Sequence, residues 1–582
     1  MAEGEPGTLE RRPPRPGPGA LALLIIILAA GAWLRFAGLD FGLPQTNTRP
    51  DENHLVERAS RAADGRLEPR TFRKPTLLAW QTACLFRAAS PWLREPGETF
   101  VEAEAGRPAR FYLLARALSC LYGIATLVVL YRIGLSLGGP VVGLSAAAFL
   151  AVSPLHMRDS HFATVDVAFV FFLTAAVPFL IRLTRGAPIT AGIGAAILIG
   201  LGSAVKYTGL VGLLPLFGAA LAAPDRSTAE RWRNGLGLVA LGFASFVAAA
   251  PYLLLDLREF LPTIPFFMEQ VRSGHYGMTL GPYGFTHHLA WTLPIAFGIL
   301  PLFLALAGGV AHAVRPGRHR VVLLGVAVVV YLVIGAQRIL FARYVMPLLP
   351  ILALFAGKGV ALAAARLSPR GRGAAVISAA LVVVAAAAPL TRSVLLDRLL
   401  MREDTRLAAS RWLDAEIPEG ARVLLIRRIG WRIKSYGNPQ PRAAGYHLIE
   451  GIAAEGPGEG GARTPERDPI LRGAPVETAG EVRVLLDRVR PDFVVVHDSP
   501  LTFYSLTAQS ISELTGRGRL VHRESPWASD AARRPSGSMD WDQQDAFFAP
   551  LRRFDGIERP GPEILVYRVG GDGGPGAGAA PG

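Results

Sequence analysis

The feature that most limits what this chain can become is a long apolar run that keeps recurring. From Ala20 to Leu39 the residues are almost all aliphatic, aromatic or small, and about 20 such residues suffice for one helix to cross a bilayer. Comparable runs follow at about 111–136, 140–156, 164–182, 188–205, 208–223, 234–255, 285–312, 321–337, 339–362 and 373–390. Backbone immersed in hydrocarbon must satisfy its own hydrogen bonds, so each run is expected to be a helix. The chain reads as a polytopic α-helical membrane protein of about eleven spans. Composition agrees. Of 582 residues 51% are apolar and 18% charged, with a mean hydropathy of +0.32, whereas soluble domains carry about 25% charged residues.

The first run follows Arg11, Arg12 and Arg15. Its Ala29-Ala30-Gly31-Ala32 stretch leaves a cleaved signal peptide open, but the run continues through Trp33, Leu34 and Phe36. A retained signal anchor is therefore the preferred reading. Cys84 and Cys120 both lie in apolar segments and lack zinc-ligand spacing, so they read as buried free thiols. The net charge of +15 is nearly all arginine, since Lys74, Lys206, Lys358 and Lys434 are the only lysines. No basic stripe interleaved with aromatics is present, which excludes nucleic acid as the expected partner. Neither a Walker loop nor a dinucleotide fingerprint is present, so nucleotide hydrolysis is not the expected energy source.

Arginines in short loops orient the spans. Arg182 with Arg185, Arg226 with Arg231 and Arg233, Arg315 with Arg318 and Arg320, and Arg366 with Arg370 and Arg372 form four clusters. All four fall on the cytoplasmic side if the N-terminus is inside. An odd number of spans then places the chain from about 391 onward outside. The expected organisation is a disordered cytoplasmic tail (1–19), a membrane domain (20–390) and an extracytoplasmic α/β domain (391–570) before a disordered tail (571–582). The first outer loop, 40–110, contains an apolar stretch, Thr76–Ala89, too short to span and suited to the membrane interface. In the outer domain a helix is expected around Thr405–Glu416, with strands at Arg422–Ile426, Asp492–Val496 and Glu563–Tyr567. The Gly/Pro-rich stretch 451–475 reads as loop or disorder.

On this topology the unusual polar residues gather at one face. Asp51 and Glu52 follow the first span. Arg158, Asp159, Ser160 and His161 fill the turn between the third and fourth, with Asp166 just inside the next helix. Lys206 and Tyr207 join the fifth and sixth spans, and Arg338, Arg343 and Tyr344 lie at the outer ends of the ninth and tenth. Each has a plain alternative: Asp51-Glu52 as a solvated pair or helix cap, Arg158-Asp159 as a local ion pair, Lys206 as a snorkelling side chain. His275, His287 and His288 read as polar surface. The convergence of acids and fixed cations suits a lipid-linked sugar phosphate, with Lys and Arg on the phosphate and a carboxylate taking a proton from an acceptor hydroxyl.

These residues carry a resemblance. Pro50-Asp51-Glu52, the run Arg158-Asp159-Ser160-His161-Phe162-Ala163-Thr164-Val165-Asp166, Lys206-Tyr207-Thr208-Gly209, Arg343-Tyr344 with Pro347 and Pro350, and Gly556-Ile557-Glu558-Arg559-Pro560-Gly561-Pro562 stand in the order seen in GT-C glycosyltransferases. The chain resembles their protein O-mannosyltransferase and aminoarabinose transferase group, glycosyltransferase family 39 and its bacterial relatives. The resemblance implies a GT-C membrane domain, a polyprenyl-phosphate sugar donor, an extracytoplasmic acceptor (protein, lipid or polysaccharide) and inversion at the anomeric carbon. It implies Asp51 as general base with Glu52 and Asp159 as further catalytic carboxylates. Lys206, Arg343 and Tyr344 would bind the donor phosphate, and Arg158, His161 and Asp166 would complete the site. The segment Phe72-Arg73-Lys74-Pro75-Thr76 departs from relatives, which have an aromatic before the proline and a serine after it, and adds cations. A monophosphate donor needs less charge neutralised than a diphosphate, so no obligatory cofactor or metal is expected. A bacterial inner-membrane location follows from the same resemblance. The rival readings are a flippase of lipid-linked sugars and a noncatalytic scaffold. The C-terminal domain is expected to help recognise the acceptor.

Overall fold

The computed structural model describes residues 17–274, 284–314, 317–368 and 372–426. In the C-terminal region it describes 439–442, 445–451, 483, 486–502, 504–505, 511 and 514–569. Residues 1–16 of the tail expected at 1–19, the tail expected at 571–582, most of the 451–475 stretch, His275, Arg315 and Arg370 lie outside the described residues, while Pro18 and Gly19 already belong to the first helix. Two compact units emerge. The first comprises Met1–Leu39, His54–Gly274 and Thr279–Leu395, and the second centres on Asp40–Asn53 with Leu396–Gly582. The loop read from the sequence as one piece, 40–110, is thus divided between them.

The first unit is helical. Among the described residues seven helices are long and apolar enough to cross a membrane: Pro18–Phe36, Pro108–Gly138, Val165–Thr184, Thr228–Ala249, Arg318–Gly335, Ala342–Leu367 and the run Gly373–Glu416, whose first helix ends at Leu400 before the separate Thr405–Glu416 helix of the second unit. Two further spans are broken pairs, Pro140–Ala151 with Pro154–Ser160 (bent 62°) and Gly284–Ala296 with Ile299–Ala313 (bent 114°). Two of the expected spans correspond only to shorter apolar helices, Ile189–Val205 and Tyr207–Leu221. The difference from an expectation of about eleven whole helices has a local cause. Pro154 lacks an N–H for helix bonding, and Gly298 takes φ 97°, so apolar runs that look continuous break at those points.

Turn chemistry sets the hairpins. Pro108, Pro140 and Pro154 sit at helix starts, where the missing N–H is harmless. Gly139 closes one helix and opens the next with φ 84°, a conformation that lets the chain reverse with no spare residue. The stretch read as lying on the membrane interface forms a helix, Leu77–Ala88, whose Phe86 packs edge-on against Phe111 of Pro108–Gly138 (centroids 4.9 Å). Its apolar face is therefore buried in protein.

The second unit holds a five-stranded mixed sheet in the order β2-β1-β3-β5-β4. The strands are β1 (Arg422–Ile426), β2 (His447–Gly451), β3 (Phe493–Asp498), β4 (Arg519–Glu524) and β5 (Glu563–Arg568). β1 runs parallel to β2 and β3, while β5 is antiparallel to β3 and β4. Alternate residues of the central strands serve two cores. Val423, Leu425, Val495 and Val566 meet Ala409 and Leu413 of the Thr405–Glu416 helix, whereas Leu424, Ile426, Val494 and Val496 pack with Leu486 and Leu514. Strands covered on both faces read as continuous apolar runs, which is how β1, β3 and β5 were legible. β4 is half-exposed and rich in Arg and His, and β2 places His447, Glu450 and Gly451 among its five residues, so neither reads as a continuous apolar run.

Candidate active site

Within the first unit, four segments bring charge together. Val165–Thr184 carries Asp166 in its first turn, where the exposed N–H groups favour a negative charge. Lys206 caps the C-terminus of the neighbouring Ile189–Val205 helix, where a cation is favoured. Helix ends of opposite polarity thus present complementary charges, and Lys206 Nζ lies 2.6 Å from Asp166 Oδ1. Arg343, from the 3-10 turn Ala342–Leu348, approaches the other oxygen at 3.7 Å. Lys74 adds a third positive charge acting on the same carboxylate. Its segment is fixed by Arg58, which donates to the Lys74 carbonyl at 3.0 Å, and by the Tyr207 hydroxyl, which donates to the Phe72 carbonyl at 2.9 Å.

Aromatic faces complete the setting. Lys206 Nζ stands 4.8 Å from the Tyr344 ring centroid, and the Arg343 guanidinium 4.0 Å from that of Phe341. Asp166 is buried, whereas Lys206 keeps about a fifth of its side chain open. Lys206 and Tyr344 also line an apolar groove of about 110 Å³ together with Phe169, Leu173, Val330 and Gln337. A solvent-reachable cation beside an apolar slot suits an anionic head group on a greasy tail.

The remaining expected site residues have partners of their own. Arg158 and Asp159 form a fully buried ion pair, with Nη2 and Nε at 2.9 and 3.2 Å from one carboxylate oxygen. His161 is held at both ring nitrogens by the Met157 and Ala37 carbonyls, at 3.0 and 2.8 Å. Nearby, buried Arg35 of the first span reaches His156 Nδ1 at 2.9 Å and the Ala151 carbonyl at 3.1 Å. An arginine inside an apolar run was the sequence signal for that contact, and it was missed. Asp51 and Glu52 belong to the second unit. Glu52 is buried at the start of the Glu52–Ala63 helix, and Asp51 is half-buried with φ 75°, rare for a residue other than glycine. His288, expected on the surface, is instead fully buried, with Nδ1 3.1 Å from Thr292 Oγ1. Among the described residues no group of three or more His, Cys, Asp or Glu is arranged to hold a metal ion.

Comparison with known proteins bears on this geometry. Residues 113–254 match the family model described as Dolichyl-phosphate-mannose-protein mannosyltransferase. AglB, the oligosaccharyltransferase of Archaeoglobus fulgidus, solved with an inhibitory peptide and a dolichol-phosphate, superposes at a TM-score of 0.53 and 12% identity. That likeness covers 95% of this chain and 88% of AglB. The chain shares the GT-C membrane fold of that enzyme. The apo form of the Archaeoglobus oligosaccharyltransferase gives 0.52 at 12% identity over 94% of this chain and 88% of that one. ArnT from Cupriavidus metallidurans, in its apo state, is 13% identical over 95% of this chain and 98% of its own, with a TM-score of 0.49. No curated protein matches the chain. With its seven long apolar helices among the described residues, the chain is a membrane protein.

Proposed function

We propose that this GT-C enzyme moves one sugar from a polyprenyl-phosphate donor to an acceptor at the outer face of a bacterial inner membrane, in a single inverting displacement. The observation that carries the reading is the pair Lys206 and Arg343, converged on Asp166 beside an apolar groove that has Lys206 in its wall. The donor phosphodiester carries one negative charge, and the phosphomonoester that departs carries up to two. Cations already in place where that charge develops lower the barrier without reorganising. Asp166 holds both cations, so their positions do not depend on the donor's arrival.

The acceptor oxygen attacks the anomeric carbon, the bond from that carbon to the phosphate oxygen breaks, and the acceptor proton passes to a carboxylate. Asp51 takes that role by resemblance, with Glu52 beside it in sequence. Asp159, paired with Arg158 in the turn that carries His161, stands with Glu52 as a further catalytic carboxylate by the same resemblance. Lys74, Lys206 and Arg343 supply the neutralising charge, which makes an obligatory metal unnecessary. The arginine clusters in short loops support a cytoplasmic N-terminus and an extracytoplasmic C-terminal domain.

The test is consumption of a mixed pool of polyprenyl-phosphate sugars by the purified protein in lipid, offered crude envelope acceptors and read by mass spectrometry. Wild type should release polyprenyl phosphate, and Asp51→Asn should do so at least about 10²-fold more slowly. Equal release by both would remove Asp51 from the chemistry. An intact pool in both, with the lipid flipped across the vesicle, would replace transfer by transport.

A further inference from the structure

The second unit contains a set of contacts that neither the fold nor the charge pattern demands. The segment Asp40–Asn53, next to the first span in sequence, is built into the C-terminal domain. Arg49 Nη1 lies 2.8 Å from Asp545 Oδ1, with the two side chains 0% and 2% exposed. The Arg49 guanidinium also stands 5.1 Å from the ring of Phe547, and Phe41 meets that ring edge-on at 5.7 Å. Gln45 donates to the Arg406 carbonyl at 3.1 Å and to the Ser410 hydroxyl, while Arg406 Nη2 donates to the Thr48 carbonyl at 3.4 Å. Arg406 is itself clamped by Asp404, at 2.6 and 2.7 Å.

We propose that the C-terminal domain positions the Asp51 carboxylate through the Arg49–Asp545 ion pair, which makes Asp545 a positioning residue for transfer. The proposal rests on the reading of Asp51 as the base. A buried ion pair is a weak source of net stability compared with an apolar pair of the same volume, but it admits few geometries. One residue separates Arg49 from Asp51, and that residue is Pro50, whose ring fixes φ. The link from anchor to carboxylate is therefore short and stiff. Asp51 itself is held at φ 75°, a conformation that persists in such a residue when its surroundings over-determine it. The Gln45 and Thr48 contacts hold the same segment on the side towards the first span.

The experiment compares full-length wild type, Asp545→Asn, Arg49→Gln, the double variant and Arg49→Lys in lipid. The readouts are turnover, KM for donor, direct binding of polyprenyl phosphate, and thermal midpoint. Asp545→Asn is expected to lower kcat on the order of 10²-fold, the penalty typical of a catalytic group displaced by about 1 Å. Polyprenyl phosphate binding should stay within about twofold, because its cations belong to the other unit, and Arg49→Lys should recover part of kcat. The double variant should be no slower than the worse single one, as for two residues acting through one contact. Wild-type turnover in a folded Asp545→Asn, or losses that multiply in the double variant, would overturn the proposal. So would loss of donor binding in parallel with kcat, which marks a structural role. If Asp545→Asn does not fold, Gln45→Ala removes a separate tether and should lower kcat with donor binding intact; unchanged kcat there overturns the proposal too. Failure of the base reading is distinct, since Asp51→Asn would then retain wild-type turnover.

Discussion

Asp166 sits between two cations, and that arrangement makes opposite demands on binding and on rate. Removing Lys206 deletes one charge-assisted contact to the donor phosphate, worth about 1.5–3 kcal/mol. Lys206→Ala should therefore weaken polyprenyl phosphate binding about 10- to 100-fold, measurable by calorimetry in nanodiscs. Asp166→Asn removes a competing anion but also the post that holds Lys206 and Arg343. Its binding of polyprenyl phosphate should be at least as tight as wild type while transfer slows. Equal weakening of binding by both variants would show that Asp166 contacts the donor rather than its cations. Of this cluster the individual residues were visible in the sequence as charges at span ends. That Asp166 is the shared partner was not, because it depends on which helix ends become neighbours.

Helix packing in the first unit relies on close backbone approach at particular glycines. A Cβ on Gly308 would strike the Phe355 carbonyl, and one on Gly359 the Leu304 carbonyl, so the Ile299–Ala313 and Leu349–Leu367 helices touch through backbone. Small residues at such crossings are what allow membrane helices to associate. Gly308→Ala and Gly359→Ala should each lower stability by about 1–3 kcal/mol, as overpacking does. At Gly325, in the Arg318–Gly335 helix, an added methyl would meet nothing within 4 Å among the described residues. Gly325→Ala should be neutral or stabilising. Thermal midpoints in detergent separate the cases, and equal midpoints for all three would refute the backbone contact. These helices were legible as apolar runs, but their breaks were not, since hydropathy is blind to the backbone angle at Gly298 or the missing donor at Pro154.

At the scale of the whole molecule, the C-terminal unit carries a built-in acid sensitivity. His497 on β3 is buried, and its Nε2 donates to the Tyr504 carbonyl at 2.6 Å. Burial first, and Arg406 second, against that hydrogen bond, depress the imidazole to about 4. An unfolded histidine titrates near 6.5. The neutral ring's contribution is therefore complete above about pH 6.5 and is lost as pH falls towards 4, by about 3 kcal/mol in total. Hydrogen exchange of the β3 amides in the full chain should accelerate over that window, and His497→Phe should flatten the dependence. A wild-type profile flat from pH 7 to 4.5 would contradict it. The sequence by itself determined the class of the molecule, because a bilayer admits few solutions to a chain with runs this apolar, and it located β1, β3, β5 and the 405–416 helix through their buried periodicity. Only the tertiary structure decided which charges meet and that residues 40–53 belong with the C-terminal domain. Lys74, Asp166, Lys206 and Arg343, like Arg49 and Asp545, lie far apart along the chain. Contacts at that separation are set by how whole elements pack, which no local pattern of side chains encodes.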